Sequence, residues 1–107
     1  MNGEKVDINK IPLGSYVYLK INQWGTTYRL IAKFNGYQCQ RTVLVLSDVL
    51  KFSKGTFVHK PNENWNKHYI REIKVISPEY YASIQMMNSR MKKMKEAIKQ
   101  QFTLLDG

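Results

Sequence analysis

Apolar and polar residues alternate along most of the first three quarters of the chain. Over residues 15–22, SYVYLKIN, Val17, Leu19 and Ile21 point one way and Tyr16, Tyr18, Lys20 and Asn22 the other. A period of two is that of a strand with one face in a core. QWGT turns the chain. TYRLIAKF then alternates again, with Tyr28, Leu30, Ala32 and Phe34 against Thr27, Arg29, Ile31 and Lys33. Asn35-Gly36 is a strong signal for a two-residue type I′ turn, because both central positions need positive φ. That turn would set Phe34 opposite Tyr37, Ala32 opposite Cys39, Leu30 opposite Arg41 and Tyr28 opposite Val43. Arg41 would then be the one charge on an apolar face, at its rim or turned outward by a bulge.

TVLVL, at 42–46, is apolar on both faces, so this strand should be covered on both sides. LKFSKGTFVHK reads as a second hairpin around Lys54-Gly55, with Phe52 paired to Phe57. PNENWNK reads as a loop. HYIREIKVI reads as the last strand, with Tyr69, Ile73 and Val75 on its core face.

Ser77-Pro78-Glu79 starts a helix: serine caps, proline fits the first helical position, and an acid suits the first turn. It should run to about Phe102. Tyr80, Ile84, Met87, Met91, Met94, Ile98 and Leu105 follow heptad a and d spacing, and lysines and Arg90 ring that stripe. Such a helix of residues 78–102 would be about 37 Å long, against about 30 Å for the body before it. Met87 and Met91 are expected on the body. Met94, Ile98, Phe102 and Leu105 are expected to reach a partner or a second copy, the latter as a weak homodimer.

The expected architecture is mainly β (α+β). A small five- to six-stranded antiparallel barrel, SH3-like or OB-like, is followed by one long C-terminal α-helix. Residues 1–107 make a single domain: a polar arm over 1–11 anchored by Ile8 and Ile11, a barrel over 14–76, and the helix.

Composition changes this picture in one respect. Seventeen Lys and Arg against eight Asp and Glu give a net charge of +9, which attracts anions, nucleic acid foremost. Lysines outnumber arginines 13 to 4. Lysine meets phosphate as a point charge, so weak sequence specificity is expected. A single cysteine, Cys39, allows no internal disulfide and fits a reducing cytoplasm. No apolar run is long enough to cross a membrane.

Aromatics interleaved with cations suit single strands, which need surfaces for stacking and charge for the backbone. The candidate nucleic-acid-binding residues on the outward strand face are Tyr18, Lys20, Arg29, Lys33, Gln38 and Gln40, joined by Trp65 from its loop. The plain alternatives are a solvated sheet face and a tryptophan folded back to close the barrel end. His59, His68 and Cys39 lack metal-site spacing. The eight acids are scattered, and no nucleophile or phosphate-loop motif is present. Neither metal nor cofactor nor catalysis is therefore expected. The expected partner is RNA or single-stranded DNA. The alternative is an interaction module: a small adaptor or inhibitor, of phage or mobile-element type, docking on an acidic protein surface of a larger complex.

Overall fold

The structure, a computed structural model, describes residues 3–53, 56–90 and 105, without the side chains of 53, 56 and 57. Among these residues the strands are β1 (Gly3–Lys5), β2 (Tyr16–Gln23), β3 (Thr26–Gln38), β4 (Val43–Ser53), β5 (Thr56–Asn66) and β6 (Ile70–Ile76). A 3₁₀ turn, Lys67–Tyr69, joins β5 to β6, and helix α1 covers 78–90. All six strands lie in one sheet in the order β1-β6-β2-β3-β4-β5, and every pairing is antiparallel.

The period-two reading of β2 and most of β3 holds. Val17, Leu19, Ile21, Leu30, Ala32 and Phe34 are buried on one face. They form the inner core with Leu44, Leu46, Val49, Trp65 and Ile73, and Ile11 of the arm joins them. Gln23 pairs with Thr26, so Trp24 and Gly25 are a two-residue turn with φ of 52° and 80°. Phe52 pairs with Phe57, as expected.

Asn35-Gly36 is not a turn. It lies inside β3, where Phe34 pairs with Leu46 and Tyr37 with Leu44. Two residues thus face one, which is a β-bulge. Gly36 takes the positive φ of 115° that the bulge needs, and Asn35 Nδ2 donates to Ser47 Oγ at 2.6 Å. The chain turns later, over residues 39–42. The cause is burial. A turn at 35–36 would put Arg41 on the core face, whereas the later turn buries Leu44 and Leu46 and leaves Arg41 exposed. A second bulge at Asp48, φ 50°, separates Lys33↔Ser47 from Ile31↔Leu50. It moves Val49 onto the inner face and Leu50 onto the outer one.

PNENWN is strand, not loop. It completes β5, with Glu63 opposite Leu46 and Trp65 opposite Leu44. Pro61 falls between the paired residues Lys60 and Asn62 on an edge strand, where a missing N–H is tolerated. At the barrel mouth Lys51 Nζ bonds Glu63 Oε1 at 3.0 Å and sits 4.4 Å from the centroid of the Tyr28 ring.

The arm is better held than its polarity suggests. β1 pairs with β6. Tyr37 OH donates to Ile8 O at 2.8 Å and accepts from Ile11 N at 3.2 Å.

Helix α1 begins as expected: Ser77 Oγ accepts from Tyr80 N at 3.0 Å. It covers the outer face of the sheet. Tyr81 is buried with Ile31, Leu50 and Ile76, and Tyr16, Tyr18, Tyr80 and Ile84 pack around them. Met87, expected on the barrel, is 57% exposed. The inward face runs through Tyr81, Ile84 and Asn88 instead, with Asn88 6% exposed. The outer cluster at Tyr16 and Ile31 receives Tyr81, and this sets the helix rotation one position away from the heptad reading. Residues 91–102 of the expected helix, with Met91, Met94, Ile98 and Phe102, lie outside the described residues.

Tyr81 is the anchor of this second layer. Its hydroxyl donates to Asp48 O at 2.5 Å, and its ring lies 4.5 Å from Tyr16. Burial first, then the negative charge of Asp48 and the Tyr16 hydroxyl, raise its pKa from 10.0 to about 12. The folded state therefore holds this proton more tightly than the unfolded state does. The contribution is full below pH 10 and is lost as pH rises from 10 to about 12. Unfolding midpoints across that interval should fall more steeply for the wild type than for Tyr81→Phe. At neutral pH the variant should lose about 0.5–1.5 kcal/mol, the worth of one hydrogen bond.

Candidate nucleic-acid interface

The sheet has two ends. One carries the turn at 24–25 and the paired residues Ser53 and Thr56. The other carries the turn at 39–42 and the 3₁₀ turn Lys67–Tyr69. Backbone pairing builds the second end: Val43 opposes Asn66, and Lys67 N donates to Thr42 O at 2.9 Å. This brings Arg41 and Lys67 together although they are far apart in sequence. Cys39, Gln40 and Arg41 all have positive φ, at 52°, 56° and 68°. Non-glycine residues adopt this conformation at a cost. Thr42 Oγ1 holds the turn by donating to Cys39 O at 2.6 Å.

Three elements converge here on Tyr37. The Arg41 guanidinium lies 4.9 Å from its ring centroid and Lys67 Nζ lies 5.2 Å from it, within cation–π range. Asn9 of the arm accepts from both cations: its backbone oxygen from Arg41 Nη2 at 3.0 Å, and its Oδ1 from Lys67 Nζ. Among the described residues neither cation forms an ion pair. Both are held by neutral groups, beside a ring. His68, Asn66, Gln38 and Gln40 flank them and are exposed. A phosphate finds two cations side by side in one place.

The sequence candidates are dispersed over the molecule. Gln38 and Gln40 belong to this end. Lys20 and Arg29 face one another across β2 and β3, and Lys33 faces Tyr16. Tyr18 and Ile31 lie between those pairs and pack with α1, so the outward face is divided by the helix. Glu72, which opposes Lys20, is held below the usual carboxylate range. The hydrogen bond from Lys74 is the main cause, and the charges of Lys74, Lys5 and Lys20 add to it. Trp65 is not in a loop. It is 8% exposed, inside the barrel, with ring centroids 5.9 Å from Tyr28 and 6.5 Å from Tyr69. Its alternation with Glu63 on β5 turns it inward, and its indole N–H has no partner among the described groups. Tyr37 and Lys67 were not candidates. The signal for them was the Phe52–Phe57 register, which continued along the strand sets residue 43 opposite residue 66.

No protein-family model and no curated protein sequence matches this chain. Solved structures do. A heptameric archaeal Sm protein, studied for its bearing on the eukaryotic snRNP core, superposes with a TM-score of 0.51 and 12% identity, over 61% of this chain and 90% of its own. The P. aerophilum SmAP1 heptamer gives a TM-score of 0.51 and 12% identity, over 61% of this chain and 82% of its own. The fold is Sm-like. It is an SH3-like barrel, which removes the OB-like alternative, with one C-terminal helix. A chain of the NatC complex bound to CoA superposes at a TM-score of 0.49 and 11% identity, over 67% of this chain and 87% of its own.

The burial of Trp65 has a direct consequence. Trp65→Ala should lower the stability of the Sm-like barrel by about 3–5 kcal/mol, read from chemical denaturation. In the free protein iodide should quench Trp24 and spare Trp65, as Trp65→Phe and Trp24→Phe variants would separate.

Proposed function

We propose that this chain is a non-catalytic, weakly sequence-specific protein that binds single-stranded RNA at the end formed by the 39–42 turn and Lys67–Tyr69. The observation that carries this reading is the convergence of Arg41 and Lys67 on Tyr37 without an acidic partner among the described residues. The net charge of +9 supplies long-range attraction. The Sm-like fold supports RNA over DNA, since one matched structure bears on the snRNP core, a ribonucleoprotein.

The test is fluorescence anisotropy with a labelled unstructured oligoribonucleotide across 50–200 mM salt. Affinity should fall steeply with salt. Arg41→Glu with Lys67→Glu should weaken binding at each salt concentration. It should also flatten the salt slope by about 1.4, because each single-strand phosphate contact contributes about 0.7. Unchanged affinity and slope in a folded double variant would overturn this site. No binding by the wild type at 50 mM salt would overturn the function.

A second reading has one observation of its own. Met86 and Met87 on α1, and Leu105 beyond it, are exposed. Exposed methionines suit an adaptable protein contact, so an adaptor or inhibitor docking through the C-terminal segment is the rival. Capture of the same protein partner before and after nuclease treatment would favour it.

A further inference from the structure

The hairpin between β2 and β3 breaks two local rules at once. The first concerns Trp24. Position one of a type I′ turn favours Asn, Asp or Gly. Here it holds a tryptophan at φ 52°, and a bulky side chain in that region is a strained outlier. Its indole is 87% exposed and makes no hydrogen bond or ring contact with other described residues. Burial therefore does not offset the strain. The second concerns charge. Lys20 and Arg29 stand directly opposite one another, and like charges in that relation destabilise a sheet. Glu72 faces Lys20 from β6 and feels its charge, but its hydrogen bond goes to Lys74, and neither Lys20 nor Arg29 forms an ion pair among the described residues.

Both costs lie on one hairpin. Each residue of the opposed pair is three positions from the turn's flanking pair, Gln23 and Thr26. One ligand would turn both into gains: an anion that also carries a flat ring. We infer that this hairpin is a second nucleic-acid contact, in which Trp24 stacks on an unpaired base and Lys20 with Arg29 holds the adjoining phosphates. Stacking on an exposed aromatic is sequence-tolerant and strong enough to retain the residue. A membrane fits less well, because the residues that flank Trp24 along the chain, Asn22, Gln23, Thr26 and Thr27, are polar. The inference rests on the proposed nucleic-acid function, yet the site is distinct from the first. The two share no residue: Lys20, Trp24 and Arg29 lie at the Thr26 end of the thirteen-residue β3, and Arg41 follows its Gln38 end.

The test compares Trp24→Asn, Trp24→Phe and Lys20→Gln with Arg29→Gln, each in the wild type and in the Arg41→Glu, Lys67→Glu background. The probe is a labelled unstructured oligoribonucleotide, and thermal midpoints are read in parallel. Trp24→Asn should raise the midpoint, because asparagine accepts the left-handed backbone. It should also lower affinity about tenfold, the size of one base stack, in both backgrounds. Trp24→Phe should keep most of the affinity, and the complex should protect Trp24 from iodide. The two glutamines should raise the midpoint and flatten the salt slope. Unchanged affinity of Trp24→Asn would overturn the inference, and so would a loss seen only with anionic lipid vesicles. If Arg41→Glu with Lys67→Glu alone weakens binding, the first site stands and this one falls. If only the hairpin variants weaken it, this site stands and the first falls.

Discussion

Two extra residues in neighbouring strands, one at Asn35-Gly36 in β3 and one at Asp48 in β4, decide how this molecule is put together. A strand alternates faces strictly, so an unbroken β3 or β4 of this length would carry polar residues into the barrel. Each bulge resets the alternation. After the first, Tyr37 takes the inward place that Gly36 would have held, and it pairs with Leu44. After the second, Val49 faces inward and Leu50 outward. The inner core and the outer cluster both depend on these shifts. The helix depends on them too, since Tyr81 bonds the carbonyl of the bulged Asp48. So does the arm, which hangs on the Tyr37 hydroxyl.

The same resetting creates the basic end. By extending β3 to Gln38 it moves the turn to 39–42 and takes Arg41 off the core face. The long β4–β5 ladder then delivers Lys67 to the same place. Two cations next to one ring, tied down only by amide oxygens, are placed at low entropic cost and are electrostatically unspent. A buried or ion-paired arrangement would add little toward a phosphate, because its charge would already be compensated.

The sites where local rules fail are few, and apart from the bulged Asp48 within β4 they gather at the two ends of the sheet. Cys39, Gln40 and Arg41 run through left-handed backbone, Trp24 does the same at the opposite end, and Lys20 faces Arg29. Apart from the two bulges, the middle of the barrel obeys pattern and propensity closely. Strain and like-charge opposition at exposed tips, over a consistent core, are what binding surfaces on a rigid frame look like.

Much of the frame was legible without coordinates. Alternation at Val17, Leu19 and Ile21, the Trp24-Gly25 turn, the Phe52–Phe57 pairing and the Ser77 cap are local, because adjacent residues suffice to make them. Apolar residues on both faces of 42–46 suggested cover on both sides, but the outer cluster forms over Ile31 and Leu50, and Val43 and Val45 are half-buried outside it. Asn35-Gly36 misled because its conformational preference is real but serves a bulge as well as a turn. Only the burial of Leu44 and Leu46 against distant strands selects between them. NENWN carried the alternation that puts Glu63 and Trp65 inward, yet its asparagines resemble a loop until β4 lies beside them. Tyr37, Arg41, Lys67 and Asn9 belong to four separate segments, and no local pattern joins them. The sequence determined most of the stretches that are strands, and where the charge is plentiful. The closure of the sheet decided which charges meet, because register across β4 and β5 is fixed by the packing of a core that forms only when all the strands are present.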